Sequence, residues 1–198
     1  GCCLNYPNGK KVNAQKTTNN TPHDRFSNRG MTLEKDINET NKYYLSRGLC
    51  VIHKKPTPVQ IVKVDYPNRS AAVIKEAYFK QASTTDYNGL YKGHYIDFEA
   101  KETKNKTSFP LSNFHQHQIE HMEDIVKHEG ICFVIMRFQA YNESYVFPAV
   151  KLFPYWHRQF KDGRKSIPYT AVKDEGTLIP AGYPALVDYL TVVDEIFF

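Results

Sequence analysis

Between residues 32 and 47 the chain repeats every three to four positions. Leu33, Ile37, Thr40 and Tyr44 fall on one face of a helix predicted from Thr32 to about Arg47, with Gly48 as its stop. A period of two then takes over. Leu49 to His53 reads as a short strand, broken by Lys54-Lys55-Pro56-Thr57-Pro58. Val59 to Tyr66 and Ala71 to Phe79 read as two strands joined by the turn Pro67-Asn68-Arg69-Ser70. At about 3.3 Å per residue an eight-residue strand reaches about 26 Å, enough for an arm leaving a small domain. Tyr87-Asn88-Gly89 is predicted as a further turn. His94 to Lys101 alternates cleanly, with Ile96, Phe98 and Ala100 to one side and Tyr95, Asp97, Glu99 and Lys101 to the other. A second helix is predicted over 113–128, N-capped by Ser112 or Asn113 and ended before Gly130. Ile131 to Phe138 reads as a buried strand and Tyr145 to Phe147 as its partner. A third helix near 150–160 and an apolar segment from Leu186 to Phe198 close the chain. This order predicts an α/β (α+β) fold, a mixed central sheet flanked by helices.

Composition narrows the class. The 198 residues suit one domain, and 41% hydrophobic with 14% aromatic content excludes a disordered or collagen-like chain. Residues 1–27 are polar, with Asn and Thr clusters, and read as a flexible arm. Residues 28–198 then form a single domain with a hairpin of about 55–80 inserted. Cys2, Cys3, Cys50 and Cys132 show no CxxC spacing, which fits free thiols of a reducing cytoplasm. The longest apolar run, Ile131 to Met136, is too short to span a membrane, and no secretory leader is recognised, so the expected location is cytoplasmic.

The net charge of +5 says little until it is divided. Residues 1–30 carry five basic and one acidic side chain, 50–110 ten and six, and 151–168 five and one. Residues 111–150 and 169–198 are acidic. Basic blocks interleaved with Tyr66, Tyr78 and Phe79 suit a phosphate backbone, although for any single run a solvated surface is the more ordinary reading.

Glu99-Ala100-Lys101 carries the chemistry. Two residues apart on a strand, the carboxylate and the ammonium point the same way. Asp86, thirteen positions upstream, comes back beside Glu99 if the chain returns as a hairpin. Two carboxylates suit magnesium, which takes hard oxygen ligands and keeps waters for a phosphate substrate. Lys101 then orients water or neutralises charge in the transition state. An E-x-K pair alone is most often a surface ion pair; the upstream Asp and the basic, aromatic-rich arm favour the site. On the second helix, Phe114, Ile119, Met122, Ile125 and Val126 form one stripe, and Gln118 falls inside it, placed to offer an amide oxygen to a metal-bound water or to make a buried structural bond. His117-Gln118-Ile119-Glu120-His121 matches the H-x-x-E-H pattern of inverted zinc peptidases, but both histidines fall on the polar side with no third ligand, so exposed histidines are expected.

Several uncommon strings share one order and spacing: Tyr6-Pro7-Asn8-Gly9-Lys10, Asn28-Arg29-Gly30-Met31, Lys54-Lys55-Pro56-Thr57-Pro58-Val59-Gln60, Ser83-Thr84-Thr85-Asp86-Tyr87-Asn88-Gly89 and Asp97-Phe98-Glu99-Ala100-Lys101-Glu102-Thr103-Lys104. Together they closely resemble the RecU-type Holliday-junction resolvases. The resemblance implies a restriction-endonuclease-like core with a protruding hairpin stalk, a homodimer, and magnesium-dependent, symmetric nicking of four-way junction DNA during recombination and repair, with manganese as a substitute. It implies a metal site at Thr84, Asp86, Glu99 and Gln118, with Lys101 as transition-state stabiliser and Glu34 as an accessory carboxylate. Arg69 at the stalk tip, with Arg29, Lys54, Lys55, Lys75 and Lys80, matches the basic residues that meet the junction. The family also implies modulation of a RecA recombinase and association with the nucleoid. The competing reading is a non-catalytic junction-binding or recombinase-regulating protein with a vestigial site.

Overall fold

The computed structural model describes residues 32–198, so the predicted arm and Arg29 lie outside the described residues. Helix α1 (Leu33–Ser46) starts at Thr32, whose hydroxyl accepts from the Lys35 backbone N–H at 3.3 Å. It ends at Arg47, followed by Gly48 at φ +65°, a left-handed conformation that favours glycine. The predicted face is the buried one: Leu33, Ile37, Thr40 and Tyr44 are all closed off from solvent. After it come β1 (Val51–Lys54), β2 (Val59–Asn68), β3 (Ala71–Phe79), β4 (Tyr87–Tyr91), β5 (His94–Thr103) and β6 (Ser108–Pro110). Then follow α2 (Gln116–Lys127), β7 (Ile131–Phe138), β8 (Glu143–Pro148), α3 (Ala149–Arg158), β9 (Ser166–Pro168), α4 (Tyr169–Glu175), β10 (Thr177–Leu178) and α5 (Tyr189–Phe197).

These residues divide into two units: 56–82, which holds the β2–β3 hairpin, and 32–55 with 83–198. The larger unit is built on a six-stranded mixed sheet in the order β1-β4-β5-β7-β8-β10, in which only β5 and β7 run parallel. The parallel pair needs a crossover, and α2 lies within it. Alternate residues of β7 feed two cores. Ile131, Phe133 and Ile135 join Leu33, Ile37, Phe98 and Tyr189 on the side of α1 and α5. Cys132, Val134, Met136 and Phe138 join Phe114, Ile119, Met122 and Trp156 on the side of α2 and α3. Cys50 and Cys132 are free and buried. No helix among the described residues is long and apolar enough to cross a membrane.

Two expectations need correction. Tyr87-Asn88-Gly89 is strand, not turn: the reversal lies at Lys92 and Gly93, both at positive φ, and Tyr91 pairs with His94. Gly89 is small for a different reason, because a Cβ there would stand 1.9 Å from the Val51 carbonyl oxygen on β1. The second helix starts three residues later than expected. Leu111–Asn113 forms a separate 3-10 turn, and His115 rather than Ser112 or Asn113 is the N-cap.

The hairpin unit is paired from Val59↔Phe79 to Asn68↔Ala71, with register shifts along its length. Asn68 shapes the turn by accepting from Ser70 N at 3.1 Å and Ser70 Oγ at 2.9 Å. Almost every hairpin side chain is exposed, Tyr66, Tyr78 and Phe79 among them.

Candidate active site

β5 is the middle of the site because it is buried on both faces. Antiparallel β4 flanks it on one side and parallel β7 on the other. Its registers place Asp97 beside Cys132 and Glu99 beside Val134, so both carboxylates face the α2 layer. Each is fully buried, at 0% exposure. The apolar face, carrying Ile96 and Phe98, looks the other way into the α1 core.

Two rungs tie α2 to this strand. Gln118 donates from Nε2 to Glu99 Oε2 at 3.1 Å, and one helical turn on, His121 Nε2 lies 3.0 Å from Asp97 Oδ2. Of the two roles open to Gln118 in the sequence, an oxygen offered to a metal-bound water or a buried structural bond, the structure shows the second. The oxygen is used at the helix start, where Oε1 accepts from the His115 backbone N–H at 3.2 Å, and the nitrogen faces the carboxylate. His121, expected to be exposed, is largely covered and engaged with Asp97. His117 is half-buried and stacks on His115, with ring centroids 5.5 Å apart, so the two histidines of the zinc-like string do not share a site.

Around Glu99 the electrostatics are unbalanced. Its other oxygen, Oε1, accepts from the Ala100 backbone N–H at 3.1 Å. Burial pushes its pKa up to about 8; the Asp86 carboxylate beside it pushes the same way and the Lys101 ammonium pulls it back. Tyr87, stacked on Phe98 at 4.8 Å, carries a buried hydroxyl without a hydrogen-bond partner. Burial raises its pKa, and so do the nearby carboxylates of Glu34, Asp86 and Glu99. The neighbouring carboxylates of Asp86 and Glu99 make an oxygen-rich site in which burial is not fully offset by Lys101. A hard divalent cation, which needs only one or two carboxylates and fills its remaining positions with waters, fits that donor set. Among the described residues no group of three or more His, Cys, Asp or Glu side chains gathers around one point, so a set of two carboxylates is what these residues bring together.

Lys55 and Thr84 sit at the edge of this pocket. Lys55 donates through its backbone N–H to the Asp86 carbonyl at 2.6 Å and through Nζ to Thr84 Oγ1 at 3.2 Å. Glu34, on α1, pairs with Lys54 Nζ at 2.8 Å. Of the residues expected at the site, Gln118 is hydrogen-bonded to Glu99, and Asp86 and Lys101 lie close enough to act on its charge. Sequence reasoning passed over Asp97, Thr85, Tyr95 and His121, although the i, i+2 spacing of Asp97 and Glu99 matched the i, i+3 spacing of Gln118 and His121.

A family model described as Recombination protein U matches residues 28–195. The chain is 60% identical over 196 residues to a protein of Geobacillus kaustophilus named Holliday junction resolvase RecU, covering 98% of both chains. It is 57% identical over 197 residues to a protein of Bacillus cereus (strain G9842) with the same name, again covering 98% of each. The chain belongs to the RecU family. Within this RecU chain the remaining basic candidates lie on the hairpin unit. Lys75 faces Asp65 at 3.7 Å across the strands, Lys80 closes the base through its backbone bond to the Pro58 carbonyl at 3.0 Å, and Arg69 is exposed at the turn.

Proposed function

We propose that this RecU-family chain is a magnesium-dependent endonuclease that resolves four-way DNA junctions by paired, symmetric nicks, acting as a homodimer whose two-fold axis presents equivalent sites to two like strands. The observation that carries the reading is the buried Glu99 carboxylate beside Asp86, raised to about 8 and short of positive charge. The names of its relatives from Geobacillus kaustophilus and Bacillus cereus point to the same substrate.

Asp86 and Glu99 would hold the cation, with Thr84 as a further oxygen donor; manganese has the same preference for hard oxygen ligands. The cation supplies Lewis-acid activation of the phosphate and of the attacking water. The chain's residues do the rest. Gln118 fixes the rotamer of Glu99 by donating to Oε2. Lys101, two residues along the same face of β5, carries its ammonium to the charge that builds on the phosphoryl oxygens in the transition state. Glu34 and Lys54 form an ion pair at the N-terminal turn of α1, an accessory carboxylate held ready by its partner. The exposed Arg69, Lys75 and Lys80 supply sequence-independent phosphate contacts.

The test is a junction with each strand labelled in turn, incubated with magnesium and then with chelator. Symmetric nicks that appear only with the metal are expected. Junction binding with no cutting under either condition would replace this reading with that of a non-catalytic junction-binding protein.

A further inference from the structure

Asp97 is as deeply buried as Glu99, yet the chemistry above gives it no part. Four side chains converge on its carboxylate. Thr85 donates its hydroxyl to Oδ1, Tyr95 donates its hydroxyl to Oδ2 at 2.9 Å, and His121 Nε2 lies 3.0 Å from Oδ2. The fourth is Lys55, whose Nζ stands 4.0 Å from Oδ2. Burying a carboxylate costs several kcal/mol unless it is paired, and the hydroxyls and imidazole already occupy both oxygens.

At 4.0 Å the lysine is in ion-pair range of the aspartate without a hydrogen bond to it. Its shorter bond is to Thr84 Oγ1 at 3.2 Å, and its backbone is tied to Asp86 at 2.6 Å, so the ammonium is drawn toward the segment that carries the candidate ligands. The Lys55 side chain is 26% exposed. With three donors on an ammonium and one spent on Thr84, a donor remains for the open side. Thr85 lies between Thr84 and Asp86 and is itself fastened to Asp97, so one buried carboxylate holds both the segment and the cation beside it.

We propose that Asp97 is a positioning residue that holds the Lys55 ammonium beside Thr84 and Asp86, where Lys55 takes a phosphate oxygen of the bound strand. This rests on the endonuclease reading and adds a second cationic side chain to its site. An ammonium is a compact point charge suited to that contact.

The experiment is a double-mutant cycle in single-turnover junction cleavage. Lys55→Ala is expected to slow cleavage by about 10²-fold and Asp97→Asn by about 10-fold, because a misplaced charge is worth less than a placed one. The double variant should be no more than about threefold slower than Lys55→Ala alone, since Asp97 acts through Lys55. Losses that multiply would overturn the positioning role, as would full activity in either single variant. Should Asp97→Asn lose its cooperative urea transition, Tyr95→Phe, which removes one donor from Asp97 at an exposed position, replaces it in the same cycle. Independently of cleavage, Lys55→Ala should reduce the dependence of log affinity on log salt by about 0.9 in chelator. An unchanged slope would remove the phosphate contact. If the wild-type protein binds the junction and leaves it uncut, the endonuclease reading falls, and the salt slope still decides whether Lys55 meets a phosphate.

Discussion

β5 and the β2–β3 hairpin are strands of similar length with opposite surroundings. Each position of β5 from Ile96 to Glu99 is buried, whereas β2 and β3 are exposed along nearly their whole length. In β5 the alternation separates two kinds of interior. One face stacks Phe98 between Tyr87 and Phe133 at 4.8 and 4.9 Å, and the other holds Asp97 and Glu99 against Gln118 and His121. On the hairpin the alternation separates nothing, because both faces meet solvent. The difference teaches that a two-residue period reports which side chains share a face and not what covers that face. Chemistry that needs a carboxylate at an unusual pKa can only be built where both faces are closed. Sequence-independent contact with a polyanion needs only exposed charge.

The largest break in the comparison comes from Glu99→Gln. The amide keeps the size and a partner for Gln118 and removes the charge, so junction cleavage should fall by about 10³-fold or more while junction binding persists. Cleavage at the wild-type rate would show that the strand's polar face is structural. Next comes the opposite face. Phe98→Ala, at a site with 0% exposure, should cost about 3–5 kcal/mol in urea unfolding, whereas Phe79→Ala at 85% exposure on the hairpin should stay within about 0.5 kcal/mol. Equal losses would mean that the hairpin residue is covered by something other than solvent.

A smaller effect follows from the raised pKa of Glu99. In the unfolded chain the carboxyl returns to the ordinary value near 4.5; in the folded, metal-free protein it stands at about 8. The folded state therefore binds the extra proton between those values, and stability should be highest below about pH 4.5 for this group and fall as pH rises through 8. Urea midpoints in chelator across that range should decline by an amount on the order of 3 kcal/mol, and Glu99→Gln should flatten the profile. A wild-type profile as flat as that of the variant would show that Glu99 is ionised without a metal.

Much of the larger unit was legible from periodicity. α1 kept its predicted face because Leu33, Ile37, Thr40 and Tyr44 recur at helical spacing, and β7 is apolar from Ile131 to Met136 because both its faces are packed. Glu99 and Lys101 share a strand face by their spacing, and the expected hairpin return does bring Asp86 near Glu99. Gly89 was misread because an Asn-Gly pair signals a turn when only local sequence is weighed, and its actual constraint is the close approach of the Val51 carbonyl on β1, a neighbour in the sheet but far away in sequence. Asp97 and His121 were missed for a related reason. A polar residue on an alternating strand reads as facing water, and only the docking of α2, a tertiary event, turns that surface into an interior. The short β6, β9 and α4 carry too few residues to show any period.

The smallest effect sharpens the comparison from the hairpin side. Arg69 lies at the exposed turn fixed by Asn68 and Ser70, and it makes no ion pair or side-chain hydrogen bond with another described residue. Its removal therefore takes nothing from the fold, and Arg69→Ala should leave the urea midpoint unchanged. If the turn meets the junction, the guanidinium displaces counterions from one phosphate, so the variant should bind about tenfold more weakly or less at moderate salt, and its salt dependence should be shallower by about 0.9. The same substitution should weaken binding to junctions of different sequence equally, because a phosphate contact carries no base information. A loss confined to one junction sequence would mean that the turn reads bases, and an unchanged affinity at matched salt would take the hairpin tip out of DNA binding and leave recognition to the unit that carries β5.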